Sequence, residues 1–325
     1  PDQRGRRPAP RGLPPRSSPR TAGGRPVSEP ILEMTDVSKR YRTAGGFGRG
    51  RRGFLAVDGV SLHVERGEAL GLVGESGSGK STLARMANGL VVPTSGTVRT
   101  GGHDLARLGR RGLRRLRRNV AMVFQDPLAS LNPRQTVRQT LENVFRAHGE
   151  TTSTAELVAL LESVGLGADY LGRFPHEASG GQLQRVAVAR ALALKPDLII
   201  ADEPTSALDV SVRAQILNLL ADLQRDQGIS FLHVSHDLAV IRLYSDRVAV
   251  MQRGRVVETG PSDEIFRSPR HPCTRALVEA TPEAEPPPWP AGALRDADEA
   301  CHDHDHVSPN DHPVVSRPEA GATEH

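Results

Sequence analysis

The chain has 325 residues, 37% hydrophobic and 25% charged, and a formal net charge of +4, a balance that predicts one large globular domain or two modest ones. No apolar run reaches the about 18 residues that a membrane-spanning helix needs, and no apolar stretch opens the chain as a secretory leader would. Two cysteines, Cys273 and Cys301, are too few for a disulfide scaffold or a four-cysteine metal site, and 3% aromatic content disfavours a base-stacking surface for single-stranded nucleic acid.

Residues 1–29 are rich in Arg, Pro, Gly and Ser with little to bury, which predicts a disordered basic tail. Alternation in "ILEMTDVSKRYR" predicts a strand. A Gly/Arg loop over 43–53 follows, then a further strand in "FLAVDGVSLHVERG". The short apolar run "EALGLVG" enters the loop GESGSGKST, and "STLARMANGL" reads as a helix. "LARLGRRGLRRLRRN" predicts an arginine-rich helix and "VAMVFQD" a strand. Over about 133–194 the periodicity turns helical, through "VRQTLENVFRAHG", "AELVALLESVGL" and "QLQRVAVARALAL". Strand "DLIIADEP", helix "SVRAQILNLLADLQRDQG", strand "ISFLHVSHD" and helix "LAVIRLYSD" come next, and two short strands, "RVAVMQRG" and "RVVETG", close the series. Strands alternating with helices predict a parallel α/β core, here interrupted by a helical insertion. Residues 283–325 turn to Pro, Ala, Asp and His and predict a second disordered tail. Its "CHDHDH" run with His312 offers transition-metal donors, although such tails are more often solvated segments.

"GESGSGKST" fits G-x-x-x-x-G-K-[ST] through Gly74, Gly79, Lys80 and Ser81. Glycines permit a tight turn, so backbone N–H groups from Glu75 through Ser76, Gly77 and Ser78 to Ser81 point at an anion; Thr82 continues the helix start. Lys80 supplies positive charge to the β- and γ-phosphates, and the Ser81 hydroxyl is a Mg²⁺ ligand. With only three lysines in the chain, Lys80 stands out. Such a match arises by chance in roughly one chain in a hundred of this length, and a strand before and helix after lower that further. "LIIADEP" places Asp202 and Glu203 at the C-terminal end of an apolar strand, the edge where open α/β sheets bind ligands. Asp202 is the metal partner and Glu203 the general base that phosphoryl transfer to water calls for. A second glycine pair, in "HEASGGQLQR", opens another helix without any lysine. It suits a phosphate, yet the chain already has a phosphate loop.

The order of these motifs resembles the ATP-binding cassette (ABC) family, over about 31–280. "FQDP" is similar to the Q-loop, with Gln125; "SGGQ" to the signature, with Ser179, Gly180, Gly181 and Gln182; "SALD" to the D-loop, with Asp209; and "VSHD" carries a switch histidine at His236. Tyr41 stands where the family places an adenine-stacking aromatic, with Phe47 and Phe54 as nearby competitors. "VFQDPLASLNPRQTV", "ADEPTSALDVSVRAQILNLL" and "GPSDEIFRSPRHPCTRALVEATP" resemble the oligopeptide/dipeptide importer branch, with Cys273 where that branch has tyrosine.

The resemblance implies a P-loop NTPase (RecA-like) α/β core with an antiparallel β part and a helical signature subdomain over about 133–194. The cassette would span 30–282, with an importer-type extension over about 261–282. It implies an ATPase that uses ATP and Mg²⁺ to power import of peptides or a related small solute. Gln125 would join Ser81 and Asp202 at the metal, and His236 would meet the γ-phosphate. Ser179 to Gln182 and Asp209 would contact ATP bound by a second cassette, identical or paralogous. The other implied partners are two integral membrane permease subunits and an extracellular solute-binding protein, with the chain at the cytoplasmic face of the membrane and no nucleic acid. The alternative is a non-transport ABC ATPase of translation, DNA repair or cluster assembly. One departure is Ala178, where the family has a bulkier residue before the serine; it predicts a looser signature and slower hydrolysis.

Overall fold

The computed structural model describes residues 29–42, 53–206 and 208–281. The basic leader, Phe47, Ala207, Cys301 and the His/Asp tail with His312 lie outside the described residues. In chain order the elements are β1 (Leu32–Arg42), β2 (Gly53–Val64), β3 (Ala69–Val73), α1 (Lys80–Ala87), β4 (Ser95–Thr100), β5 (His103–Asp104), α2 (Arg110–Asn119), β6 (Val120–Val123), α3 (Pro127–Ser130) and α4 (Val137–His148). The series continues with α5 (Thr154–Glu162), α6 (Gly180–Leu192), β7 (Leu198–Asp202), α7 (Val210–Gln227), β8 (Ser230–Val234), α8 (Leu238–Tyr244), β9 (Arg247–Gln252), β10 (Arg255–Pro261), α9 (Ser262–Arg267) and α10 (Pro272–Glu279).

Two sheets result. One has the order β2-β1-β4-β5 and is antiparallel throughout; the other has the order β10-β9-β3-β8-β7-β6. In the second, β9, β3, β8, β7 and β6 run parallel and β10 is an antiparallel edge. Every residue of β3, β7 and β8 is buried, which is why these strands read as unbroken apolar runs rather than alternations. Helix α1 lies between the sheets. Its Leu83 and Met86 share one core with Leu70, Leu72, Ile200 and Leu232 of the central strands and with Met34, Val57 and Leu62 of the antiparallel sheet. Phe231 and Ile199 instead join Leu141, Leu157, Leu161, Leu183 and Val186 of the helical insertion. Ile241 of α8 and Ile265 of α9 pack with Val73 and Val250, and Leu277 and Val278 of α10 lie against them.

The insertion is bounded by local signals. Thr136 with Gln139 and Ser153 with Glu156 form capping boxes at the starts of α4 and α5, each satisfying two orphan backbone donors. Gly149, at φ 77°, closes α4 in the left-handed region that glycine favours.

Three features differ from the sequence expectation. The arginine segment is broken: Leu105–Arg107 forms a single 3₁₀ turn, and Leu108 and Gly109 are extended before α2 begins. "SGTVRT" is strand β4, paired with β1. Short helices α3, α9 and α10 follow Asp126, Pro261 and His271, where Asp126 and His271 accept from the first-turn backbone.

Candidate nucleotide site

Strands β3, β8, β7 and β6 are neighbours in that order, and their C-terminal ends deliver the Gly74 loop, the Ser235–Asp237 turn, Asp202 with Glu203, and Gln125. Four sequence-distant motifs thus meet along one edge of the parallel sheet, where such folds bind ligands.

The loop is built for close approach. Gly74 and Gly79 have φ of 148° and 107°, values that L side chains rarely adopt. A Cβ at Gly74 would strike the Met251 carbonyl, and one at Gly79 the Ala56 carbonyl. Gly254 secures the junction: its N–H donates to Ser78 O at 2.9 Å, and Asp58 N–H donates to Gly254 O at 2.8 Å. Lys80 is only 5% exposed and its Nζ donates to the carbonyls of Gly74 at 2.7 Å and Glu75 at 2.9 Å. Burial pulls its pKa below the ordinary lysine value, and the Glu203 and Asp202 carboxylates push the other way. The buried Ser78 hydroxyl has no hydrogen-bond partner among the described residues. A desolvated ammonium, an unpartnered hydroxyl and a glycine-lined turn fit a phosphate group. Glu75, Ser76 and Gly77 are exposed and Thr82 is half-buried.

Ser81 Oγ donates to Asp202 Oδ1 at 3.0 Å. Burial raises the Asp202 carboxyl above the usual range, partly offset by the Ser81 hydrogen bond and by Arg85. The two oxygens are hard donors of the kind Mg²⁺ takes. Gln125, exposed, lines with Ser81, Asp202, Arg117 and Arg190 a cleft of about 680 Å³. Arg190 donates from α6 to Ser130 O and, at 3.2 Å, to Ser130 Oγ, so the signature helix holds the end of the Q-loop helix.

Glu203 has φ 49°, a strained conformation for a non-glycine residue that clusters at functional sites. Its N–H donates to Val234 O at 2.9 Å, and its carbonyl accepts from Ser206 Oγ at 3.2 Å. That brings its carboxylate, 18% exposed, to 3.1 Å from His236 Nδ1. His233, three residues earlier, is buried and stacked on Phe231; burial pulls its pKa down to about 4, so it is a neutral core residue at pH 7.

Tyr41 sits at the end of β1, directly opposite Phe54 of β2, both exposed. Ala56, two residues along β2 from Phe54, abuts Gly79.

The signature lies apart from the loop. Ser179 caps α6: its Oγ accepts from Gln182 N–H, and Gln182 Oε1 accepts from Ser179 N–H at 2.8 Å. Gly180 faces Leu208, and a Cβ at Gly181 would collide with Val212 of α7. Ser179 and Gly180 are exposed, and half-buried Ala178 packs on the helical-insertion core. Asp209 caps α7 through Oδ1, which accepts from Val212 N–H and Ser211 Oγ, both at 2.9 Å; these bonds hold its carboxyl below the usual range. The strained Glu203, the Arg190 link and the Arg213–Asp237 pair described below have no local sequence signal, because each depends on contacts between elements far apart in the chain.

Comparison with known proteins gives the family and fold. Residues 57–206 match the ABC transporter family, and residues 257–302 match the family described as oligopeptide/dipeptide transporter, C-terminal region. The oligopeptide transport ATP-binding protein AppF of Bacillus subtilis is 47% identical over 78% of this chain and 79% of its own length. The dipeptide transport ATP-binding protein DppF of Escherichia coli is 44% identical over 80% of this chain and 79% of its own. The glutathione import ATP-binding protein GsiA of Salmonella choleraesuis is 49% identical over 79% of this chain, which spans 42% of that longer relative. Among solved structures, a dimeric post-hydrolysis state of the ATP-binding cassette MJ0796 bound to ADP and Pi superposes with TM-score 0.63 at 29% identity, covering 71% of this chain and 99% of that one. CbiO1 of Clostridium perfringens, part of an ABC transporter complex, superposes with TM-score 0.62 at 30% identity, over 74% and 92%. The chain belongs to the ATP-hydrolysing, ATP-binding subunits of ABC transporters, in their oligopeptide/dipeptide branch.

Proposed function

We propose that this chain is the cassette, over residues 30–282, that powers import of di- or oligopeptides or a related small solute, bound at the cytoplasmic face of the membrane to two permease subunits fed by an extracellular solute-binding protein. The convergence of Lys80, Ser81, Asp202, Glu203 and His236 on one sheet edge carries the catalytic part. The names of AppF, DppF and GsiA carry the solute class.

In this reading residues Gly74–Thr82 hold the phosphates of ATP and Tyr41 stacks on its adenine. Ser81, Asp202 and Gln125 hold Mg²⁺, which when bound neutralises phosphate charge. Glu203 accepts the proton of the attacking water as the water oxygen bonds to the γ-phosphorus and the bond from that phosphorus to the β–γ bridging oxygen breaks, the oxygen leaving with ADP; His236 donates to the γ-phosphate, its ring held at the Glu203 carboxylate. Ser179, Gly180, Gly181 and Gln182, with Asp209, serve the nucleotide held by a second cassette. Of these Ser179, Gly180 and Asp209 are exposed, at helix starts that carry no lysine, because the facing loop already brings its own cation.

The test is uptake. Deleting the chain should abolish import of a labelled dipeptide, and the wild-type chain but not Lys80→Ala should restore it. Unchanged dipeptide uptake in the deletion would reject the peptide assignment.

A further inference from the structure

Helix α7 grips the switch segment. Asp237 divides its carboxylate: Oδ1 caps α8 by accepting from Ala239 N–H at 3.0 Å and Val240 N–H at 3.3 Å, while Oδ2 meets Arg213 Nη1 at 3.1 Å. The Asp237 N–H donates to Ser235 Oγ at 2.9 Å. His236 is therefore pinned on both sides, with its ring 3.1 Å from Glu203. Arg213 stands one turn into α7, and its N–H bonds Asp209 O at 2.9 Å. Its Nε is buried and has no partner among the described residues, and its Nη1 meets Asp237.

We infer that Arg213 is a positioning residue through which the D-loop end of α7 sets the switch histidine of the same chain. The inference rests on the roles given above to Asp209, Glu203 and His236. A tilt of the first turn of α7, produced when Asp209 meets a second cassette, moves Arg213 with it. Arg213 draws on Asp237, and Asp237 carries its neighbour His236 toward or away from Glu203. Contact at one nucleotide site thereby reaches the catalytic pair of the other. Stability does not account for the pair: both side chains are about one-third exposed, and ion pairs of that exposure contribute little to folding.

The experiment uses the full chain in the assembly in which the wild type turns over ATP. Arg213→Gln should lower kcat about fivefold, with ATP affinity within about twofold and an unchanged melting temperature, and Arg213→Lys should recover at least about half of the loss. Adding Asp209→Ala to Arg213→Gln should cost little beyond either change alone, because both break one linkage. Wild-type kcat in Arg213→Gln, losses that simply add, or a fall in melting temperature that accounts for the lost rate would each overturn the inference. Glu203→Gln serves as the control. If that variant still hydrolyses ATP, the catalytic assignment fails; if it is inactive while Arg213→Gln is normal, only the role of Arg213 fails.

Discussion

Two glycine-bearing turns open helices in this molecule, and they are physically unlike. The turn before α1 is sealed: its glycines are at positive φ, its lysine is desolvated, and a carbonyl of β2 and one of β9 press against it. The turn before α6 is open, capped by its own Ser179 and Gln182, with no cation in it. The first has the means to bind a phosphate strongly by itself. The second offers backbone donors and a helix dipole only, which suits a phosphate whose charge another group already balances. The contrast supports the proposed scheme, in which each chain's second turn serves the first turn of another.

The largest test of this contrast is Glu203→Gln. Removing the proposed general base should lower kcat by about 10²- to 10⁴-fold while ATP binding persists, trapping two chains around nucleotide. Rapid hydrolysis with no ATP-dependent dimer on size-exclusion chromatography would break the scheme. Acid offers the next effect. His233 in the folded chain titrates near 4 against an ordinary value of 6.5. The unfolded state therefore binds the extra proton, and stability is lost as pH falls through 6.5 toward 4, by about 3 kcal/mol at the lower end. The denaturant midpoint should fall more steeply with dropping pH for wild type than for His233→Leu; parallel curves would refute the assignment.

Lys80→Ala and Ser179→Ala then separate the two turns directly. The first should weaken ATP binding to the isolated chain by about 10- to 100-fold, as loss of a charged hydrogen bond does. The second should leave that binding unchanged, cost about 1 kcal/mol of stability through the lost cap, and slow turnover only in the dimer. Equal loss of binding in both, by calorimetry, would erase the distinction. Smallest is Ala178→Leu. The residue is half-buried against the insertion core, so filling that position should raise turnover by less than about fivefold, equivalent to about 1 kcal/mol of packing.

Much of this was legible in the residues. β3, β7 and β8 are wholly buried, so their apolar runs announced the parallel core, and the motifs that follow them marked the edge where the site forms. β4 was hidden because only Val98 and Thr100 of its six residues face inward, too few for an alternation to register. The arginine helix looked continuous because arginine and leucine both favour helices, whereas the chain breaks at Leu108 and Gly109 to pass from the antiparallel sheet to α2. Glu203 is proposed as a base from its place after a strand. Its left-handed backbone has no such signal, since one of the bonds that accompany it, Glu203 N–H to Val234 O, comes from a strand distant in sequence.

The position of β3 bears on how the chain is made. It is an interior strand, yet both of its partners, β8 and β9, are synthesised far later. The bonds that anchor its approach span 163 residues, from Gly67 to Ser230, and 177, from Ala69 to Asp246. The loop after it is latched by Gly254. A ribosome that has delivered Lys80 has therefore produced a phosphate loop with nothing to hold it. Until β8 emerges β3 has two open edges, and until β9 emerges it keeps one, a state that leaves parallel strands slow to fold and exposed to mispairing. Nucleotide, which needs that latched loop, therefore adds to the folding of the cassette only once residues near Gly254 have joined it.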